Sequence, residues 1–316
     1  MKYSGIGGQA VMEGVMMKNR DTYAVAVRKS NGEIIVEQKE YKGILSGSTF
    51  AKLPLVRGVV NFIDSLVLGM RSLTYSASFF EEEEDAKKEL RADEAARAKK
   101  KEDVMMGGTV ALSIVLAVAV FMLLPYWLST FFARLGWSDT GIAVMEGVIR
   151  VAVFLAYVVG ISLMKDIQRV YMYHGAEHKC INCIEHGMDL TTENVRESSR
   201  IHKRCGTSFL FFVIIVSVIL FIFIRVESPL LRVVVRLLLI PVIAGISYEL
   251  IRLAGRSDGK LIGWLSKPGM MLQRLTTREP DDDMIEVGIA SVEAVFDWKA
   301  YVQSMRDGDD SGRTFI

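Results

Sequence analysis

Four apolar runs of about 20 residues, each long enough to cross a bilayer as a helix, stand out in the pattern: 110–132, 148–164, 208–224 and 233–251. The rest of the chain is patterned differently. TYAVAVR (22–28) and EIIVEQ (33–38) read as two strands, and Ser30-Asn31-Gly32 between them signals a hairpin because Asn and Gly tolerate positive φ. Neither strand has a convincing distant partner in sequence, so a small α+β cap is expected rather than a large sheet. The first 17 residues are rich in Gly and Met, which points to tight turns or close approach to another segment. Residues 53–80 read as a helix with Arg57, Asp64 and Arg71 seven apart on one stripe. That pattern suits a helix at the membrane interface or packed on the bundle.

A charge run, 81–103, reads as a solvated helix or linker, acidic first and basic last in the sense that complements a helix dipole. Lys267-Pro268-Gly269 reads as a break. After Glu279, Pro280 and three aspartates suit a first helical turn and need no metal there. Ile285, Ile289, Val292, Val295 and Phe296 make that helix's apolar face, and the last residues read as a disordered tail. The expected fold class is therefore mainly α: a polytopic helical membrane protein with about four transmembrane helices and a small α+β cytosolic N-terminal part. The expected divisions are 1–52 with the hairpin, 53–103 with the interfacial and charged helices, 104–256 with the spans, and 257–316 with C-terminal helices and tail.

Composition sharpens this. About half of the 316 residues are hydrophobic, and the formal net charge is +1. The first fact fits a membrane protein with sizeable polar parts; the second gives no reason to expect nucleic-acid binding. Three cysteines do not make a disulfide framework, and the N-terminus lacks a secretory h-region. Lys and Arg gather before the first span, between the second and third, and after the fourth. The positive-inside rule then places both termini and the 165–207 loop in the cytoplasm. Inside the spans, Glu146 and Arg150 lie one turn apart, as do Arg232 and Arg236. A cross-helix ion pair to Glu146 would reduce their burial cost.

The candidate chemistry sits in that loop. It holds every histidine (His174, His178, His186, His202) and every cysteine (Cys180, Cys183, Cys205) of the chain. His174-Gly175-Ala176-Glu177-His178 fits H-x-x-E-H, which on a helix puts two imidazoles on one face with a carboxylate beside them. The helix requirement is met if the second span continues through 165–173. Glu185, His202 and Cys205 are the further ligand candidates, and Glu177 is the candidate general base on a water activated by the metal. Cys180-x-x-Cys183 is a second possibility, as a structural zinc or redox pair. Cytoplasmic cysteine and histidine favour zinc as the divalent metal, while His and Glu alone would also admit iron or manganese.

GGQAVMEGVMM, YHGAEHK, ENVRESSRIHKRCGTSF and LQRLTTREPDDDMIEVGI together resemble the YqhQ family of bacterial membrane proteins, over nearly the whole chain. The resemblance implies a cytosolic N-terminal part followed by a helical membrane region. That family has no assigned function and is often labelled a metal-dependent enzyme. Its HGAEHK motif carries over to His174, Glu177 and His178, its following acidic residue to Glu185, and its H-x-R-C-G-T-S motif to His202 and Cys205. Cys180 stands where Thr is expected and Lys203 where Pro is expected, and His186 lies outside the pattern.

Two functions of different class follow. One is a metal-dependent hydrolase acting on a membrane-associated peptide or lipid. The other is a membrane scaffold or assembly factor with a structural metal, docking a translocon, ribosome or other membrane complex.

Overall fold

The computed structural model describes residues 3–85, 105, 107–224, 226, 228–256 and 259–307. The chain divides into two compact units. One comprises residues 1–80, 160–213 and 240–316; the other comprises 81–159 and 214–239.

The first unit is built on a four-stranded antiparallel meander: β1 (Gly7–Val11), β2 (Gly14–Asn19), β3 (Thr22–Arg28) and β4 (Ile34–Glu40), in that order. Val11 pairs Gly14 and Asn19 pairs Thr22, so the first two hairpins have two-residue loops. Such loops need positive φ, and Glu13 (φ 49°) and Arg20 (φ 54°) supply it. Thus the β3–β4 hairpin expected from the pattern is present, and the glycine-rich start adds two strands that the pattern did not reveal. Both faces of the sheet are covered. Val15, Met17 and Ala26 join a core with Tyr173, Ile181, Ile184, Met284, Ile285 and Val292. Val11, Met16, Val25 and Val27 join another with Leu68 and Tyr41. A doubly covered strand reads as a continuous apolar run, which is why β3 shows no polar face.

The second core includes α1 (Val56–Asp85). Its three spaced charges turn to protein partners. Arg57 pairs Glu249, Asp64 accepts from Tyr41 Oη (2.9 Å) and Ile44 N (2.8 Å), and the Arg71 guanidinium lies 5.7 Å from the Tyr41 ring centre. The charge run lies mostly outside the described residues, as do 308–316 of the tail; residues 81–85 continue α1.

Among the described residues, four helices are long and apolar enough to cross a membrane: α2 (Gly107–Arg134), α3 (Asp139–Ser162), α6 (Gly206–Phe223) and most of α7 (Pro229–Arg256). The protein is thus mainly α-helical, with membrane-type helices and an N-terminal antiparallel sheet. The expected continuation of the second span is corrected. Met164 is extended (ψ 128°), and a separate helix, α4 (Lys165–Glu185), begins after it. The Gln168 side chain donates to the freed carbonyl of Ser162 at 3.1 Å, which stabilises the break. The sequence between the spans also forms a short helix, α5 (Thr192–Glu197).

Within the second unit, Glu146 accepts from Arg150 Nη2 (2.7 Å) and Arg236 Nη2 (2.8 Å). Arg150 also donates to Ser217 Oγ at 3.1 Å. Arg232 instead donates to the Val226 carbonyl, so only Arg236 makes the cross-helix pair.

Pro268 does not break the C-terminal region: it lies inside α8 (Lys260–Thr276). It occupies an exposed position and forfeits one backbone hydrogen bond, while Gly269 lets the helix approach Ser208 (a Cβ there would be 2.9 Å from its Oγ). Beyond it, Asp281 caps α9 (Asp282–Glu293) by accepting from Met284 N at 2.9 Å. Met284, Ile285 and Val292 of α9 enter the sheet-side core. The last described helix is α10 (Trp298–Arg306).

Candidate metal centre

The motif H-x-x-E-H lies wholly on α4, and α4 is held tightly. A Cβ at Gly175 would stand 2.0 Å from the Arg278 carbonyl oxygen, so only glycine allows the 276–280 segment to cross the helix there. The polar side of α4 pins the returning chain. Lys179 Nζ donates to the carbonyls of Arg196 and Ser198 (2.8 Å each), and Asn182 Nδ2 donates to those of Ser199 (2.6 Å) and Ile201 (3.0 Å). These bonds bring 202–205 back against the motif.

Each histidine of the motif is oriented by a backbone carbonyl. His174 Nδ1 bonds the Thr276 oxygen at 2.9 Å, and His178 Nδ1 bonds the Arg200 oxygen at 2.7 Å. A carbonyl only accepts, so both rings carry a proton on Nδ1, and Nε2 is the atom left for a ligand or a second proton. Cys205 Sγ lies 3.3 Å from His174 Nε2. One ligand atom from each of His174, His178 and Cys205 lies within 4.8 Å of the others. Tetrahedral zinc with its usual bond lengths separates a nitrogen and a sulfur ligand by about 3.5 Å, so the three can serve one such ion.

The electrostatics match. Burial alone would push the Cys205 thiol up; the imidazoles of His174 and His178 outweigh it and hold Cys205 well below the ordinary thiol range. Cys205 precedes α6, and the Thr207 N–H donates to its sulfur at 3.4 Å. Burial likewise disfavours the His174 imidazolium, but the facing Cys205 thiolate raises it to about 9. His178 is also raised, against burial, by Glu177 and Cys205. Without a metal, the centre is therefore a thiolate among protonatable imidazoles.

Glu177 is buried, with Oε2 3.5 Å from His178 Nε2. Its Cγ lies under β1, where a Cβ at Gly8 would come within 2.9 Å of it. The close approach expected of the glycine-rich start thus occurs at this residue. A cavity of about 100 Å³ opens over the group, walled by Ile6–Gly8 together with His174, Glu177, His178, His202 and Cys205. At about 30 Å³ per water, that is room for a few small molecules.

Glu185 and His202 form a separate, adjoining pair. Glu185 is fully buried and accepts from Ser4 N (2.9 Å), Ser4 Oγ (2.7 Å) and Arg204. Its other oxygen lies 3.3 Å from His202 Nε2. Burial would raise this carboxyl, but His202, Arg204 and Ser4 together hold it at about 2. Gln273 clamps the His202 backbone at both its N–H (2.8 Å) and its carbonyl (2.7 Å). His202 thus lines the cavity with its Nε2 already engaged. The remaining cysteines are buried: burial pushes Cys180 well above the usual thiol range and Cys183 up to about 11. His186 is exposed and bonds its own helix at Asn182.

Sequence reasoning did not assign Ser4, Arg204, Gln273 or Thr276. Arg204 lies in the H-x-R-C-G-T-S motif, and Gln273 and Thr276 lie in LQRLTTREPDDDMIEVGI, so a signal was present without a role attached to it.

Fold and site define a helical protein with membrane-type spans, a small sheet and a His–His–Cys cluster with His178 and Cys205 buried and His174 half-buried. A family model described as "Protein of unknown function (DUF1385)" matches residues 53–298, and the chain belongs to this family. It is also 34% identical, over 289 residues and 90% of each chain, to the uncharacterized protein YqhQ of Bacillus subtilis (strain 168). No solved structure matches it.

Proposed function

We propose that this protein is a metal-dependent hydrolase of the bacterial plasma membrane, with a cytoplasm-facing centre that takes zinc and acts on a membrane-associated substrate. One observation carries the reading: two histidines, each oriented by a carbonyl at Nδ1, share one small group with a buried cysteine, next to a cavity. Three protein ligands and an adjacent space are the signature of a catalytic site; structural zinc sites close with four. Among the described residues, no fourth His, Cys, Asp or Glu joins the group. That favours the hydrolase over the scaffold.

In this reading His174, His178 and Cys205 hold the ion. Zinc would supply Lewis acidity and make a water acidic enough to react at neutral pH. Glu177, buried beside His178, would serve as the base for that water's proton. His202, held against Glu185, lines the cavity wall beside the group. Orientation rests on the basic residues flanking the centre, among them Lys165, Arg169 and Arg196.

Glu177→Gln tests the role of the base. It keeps the side chain's shape and none of the zinc ligands changes. The variant should bind zinc as wild type does and fail to complement a deletion phenotype. Full complementation by Glu177→Gln, with failure of His178→Ala, would make the metal structural and the scaffold the better account.

A further inference from the structure

Helix α8 (Lys260–Thr276) has two unlike faces. The inner one serves the centre. Thr276 gives its carbonyl to His174, Gln273 clamps His202 and donates to Ser208 Oγ at 2.9 Å, and Leu272 is buried. The outer one carries Trp264 (69% exposed), Met271 (64%) and Leu275 (37%). At 100° per residue these three fall within an arc of about 40°. Pro268 is exposed on the same side, and Lys267 and Arg274 are exposed along one flank of the stripe. A tryptophan, two long apolar side chains and a basic border make up the composition of a helix lying in a membrane interface.

Its place in the chain agrees. The fourth candidate span runs to Gly255, α7 ends at Arg256, and α8 starts at Lys260. An intervening stretch of three residues reaches at most about 14 Å between flanking Cα atoms. The helix therefore begins beside the end of a span, at the level of lipid headgroups. Its basic flank suits anionic lipid there.

We infer that the Trp264–Met271–Leu275 face of α8 is seated in the headgroup and upper acyl region of the bilayer, with Lys267 and Arg274 reaching for anionic headgroups. A helix with its side chains is about 10–12 Å across. The helix thus stands between that lipid and His174 and His202, which it contacts and which line the cavity. Joined to the hydrolase reading, this means that a substrate is delivered from the membrane surface and not from bulk water.

The test reads lipid contact and needs neither metal nor activity, so it can fail while the hydrolase reading survives, or the reverse. Met271→Cys and Leu275→Cys are each labelled with a nitrobenzoxadiazole fluorophore, with Glu193→Cys, an exposed position on α5, as the reference. The three native cysteines are buried, and the wild-type chain carried through labelling measures their background. The full chain is placed in nanodiscs of phosphatidylcholine and phosphatidylglycerol. At positions 271 and 275, lipid carrying a doxyl group at acyl carbon 5 should quench the fluorophore at least twofold more than at 193, and aqueous iodide should quench it less. Doxyl quenching no greater than at 193 overturns the proposal in two distinguishable ways. If iodide reaches 271 and 275, the face is open to water. If neither quencher does, a second copy or another protein covers it.

Discussion

At the scale of single residues, the contrast between Glu177 and Glu185 explains why similar carboxylates near the centre serve different ends. Glu185 is saturated by Ser4, Arg204 and His202, and its role is to hold the N-terminal segment, α4 and the 202–205 return together. Its carboxyl falls from 4.5 to about 2 on folding. The resulting stabilisation is about 3 kcal/mol, fully present above pH 4.5 and lost as pH falls toward 2. Glu185→Gln should therefore destabilise the purified protein at neutral pH and flatten its loss of stability on acidification. Denaturant unfolding from pH 7 to pH 3 in one detergent measures this. Parallel wild-type and variant pH profiles would show that Glu185 is not held in that state. The same residue shows where sequence reading runs out. H-x-x-E-H was legible because i and i+4 on a helix are neighbours, and Cys205 because its motif accompanied it. Which of Glu185, His202 and Cys205 completes the cluster depended on Arg204 and Ser4, whose positions are set by tertiary contacts.

Among the elements, the long periodic ones were the most legible. The four apolar helices, the β3–β4 hairpin and the capped start of α9 are each dictated by local chemistry: apolar length, a Ser-Asn-Gly turn, an aspartate at the helix entrance. β1 and β2 were not, because Gly7, Gly8 and Gly14 lower strand propensity. The reason for two of these glycines is tertiary: a Cβ at Gly8 or Gly14 would come within 2.5 Å or 2.3 Å of a neighbouring carbonyl oxygen. Likewise the α3–α4 break, where Arg278 as well as Gln168 donates to the Ser162 carbonyl, and the intact helix around Pro268 run against what apolar length and a Pro-Gly pair suggest. The ion cluster of the second unit yields an element-scale prediction. Glu146 bridges two buried arginines, and among the described residues Arg150 Nε has no hydrogen-bond partner. Breaking a buried pair from one side costs about 3–5 kcal/mol, whereas replacing the whole set by apolar residues is often neutral. Glu146→Gln should lower the melting temperature in detergent more than Glu146→Leu, Arg150→Leu and Arg236→Leu combined. A triple variant at least as unstable as the single one would mean that the cluster contributes net stability.

For the whole molecule, the proposed orientation is open to a direct check. Single cysteines at Asp139 and Glu193, both exposed, should differ in intact cells: an impermeant thiol reagent should mark 139 alone. Marking of 193 would place the centre outside the cytoplasm and remove the reducing environment that keeps Cys205 a free thiolate. The central claim is that His174, His178 and Cys205 hold one zinc ion with a position left over. X-ray absorption at the zinc edge of the purified full chain tests it most directly. The account predicts one sulfur at about 2.3 Å and two imidazole nitrogens at about 2.0–2.1 Å, with a further light scatterer; Cys205→Ser should lose the sulfur, and His174→Ala should lose the metal. A wild-type protein that purifies without stoichiometric metal after growth and purification with zinc, or a sulfur shell unchanged in Cys205→Ser, would contradict it.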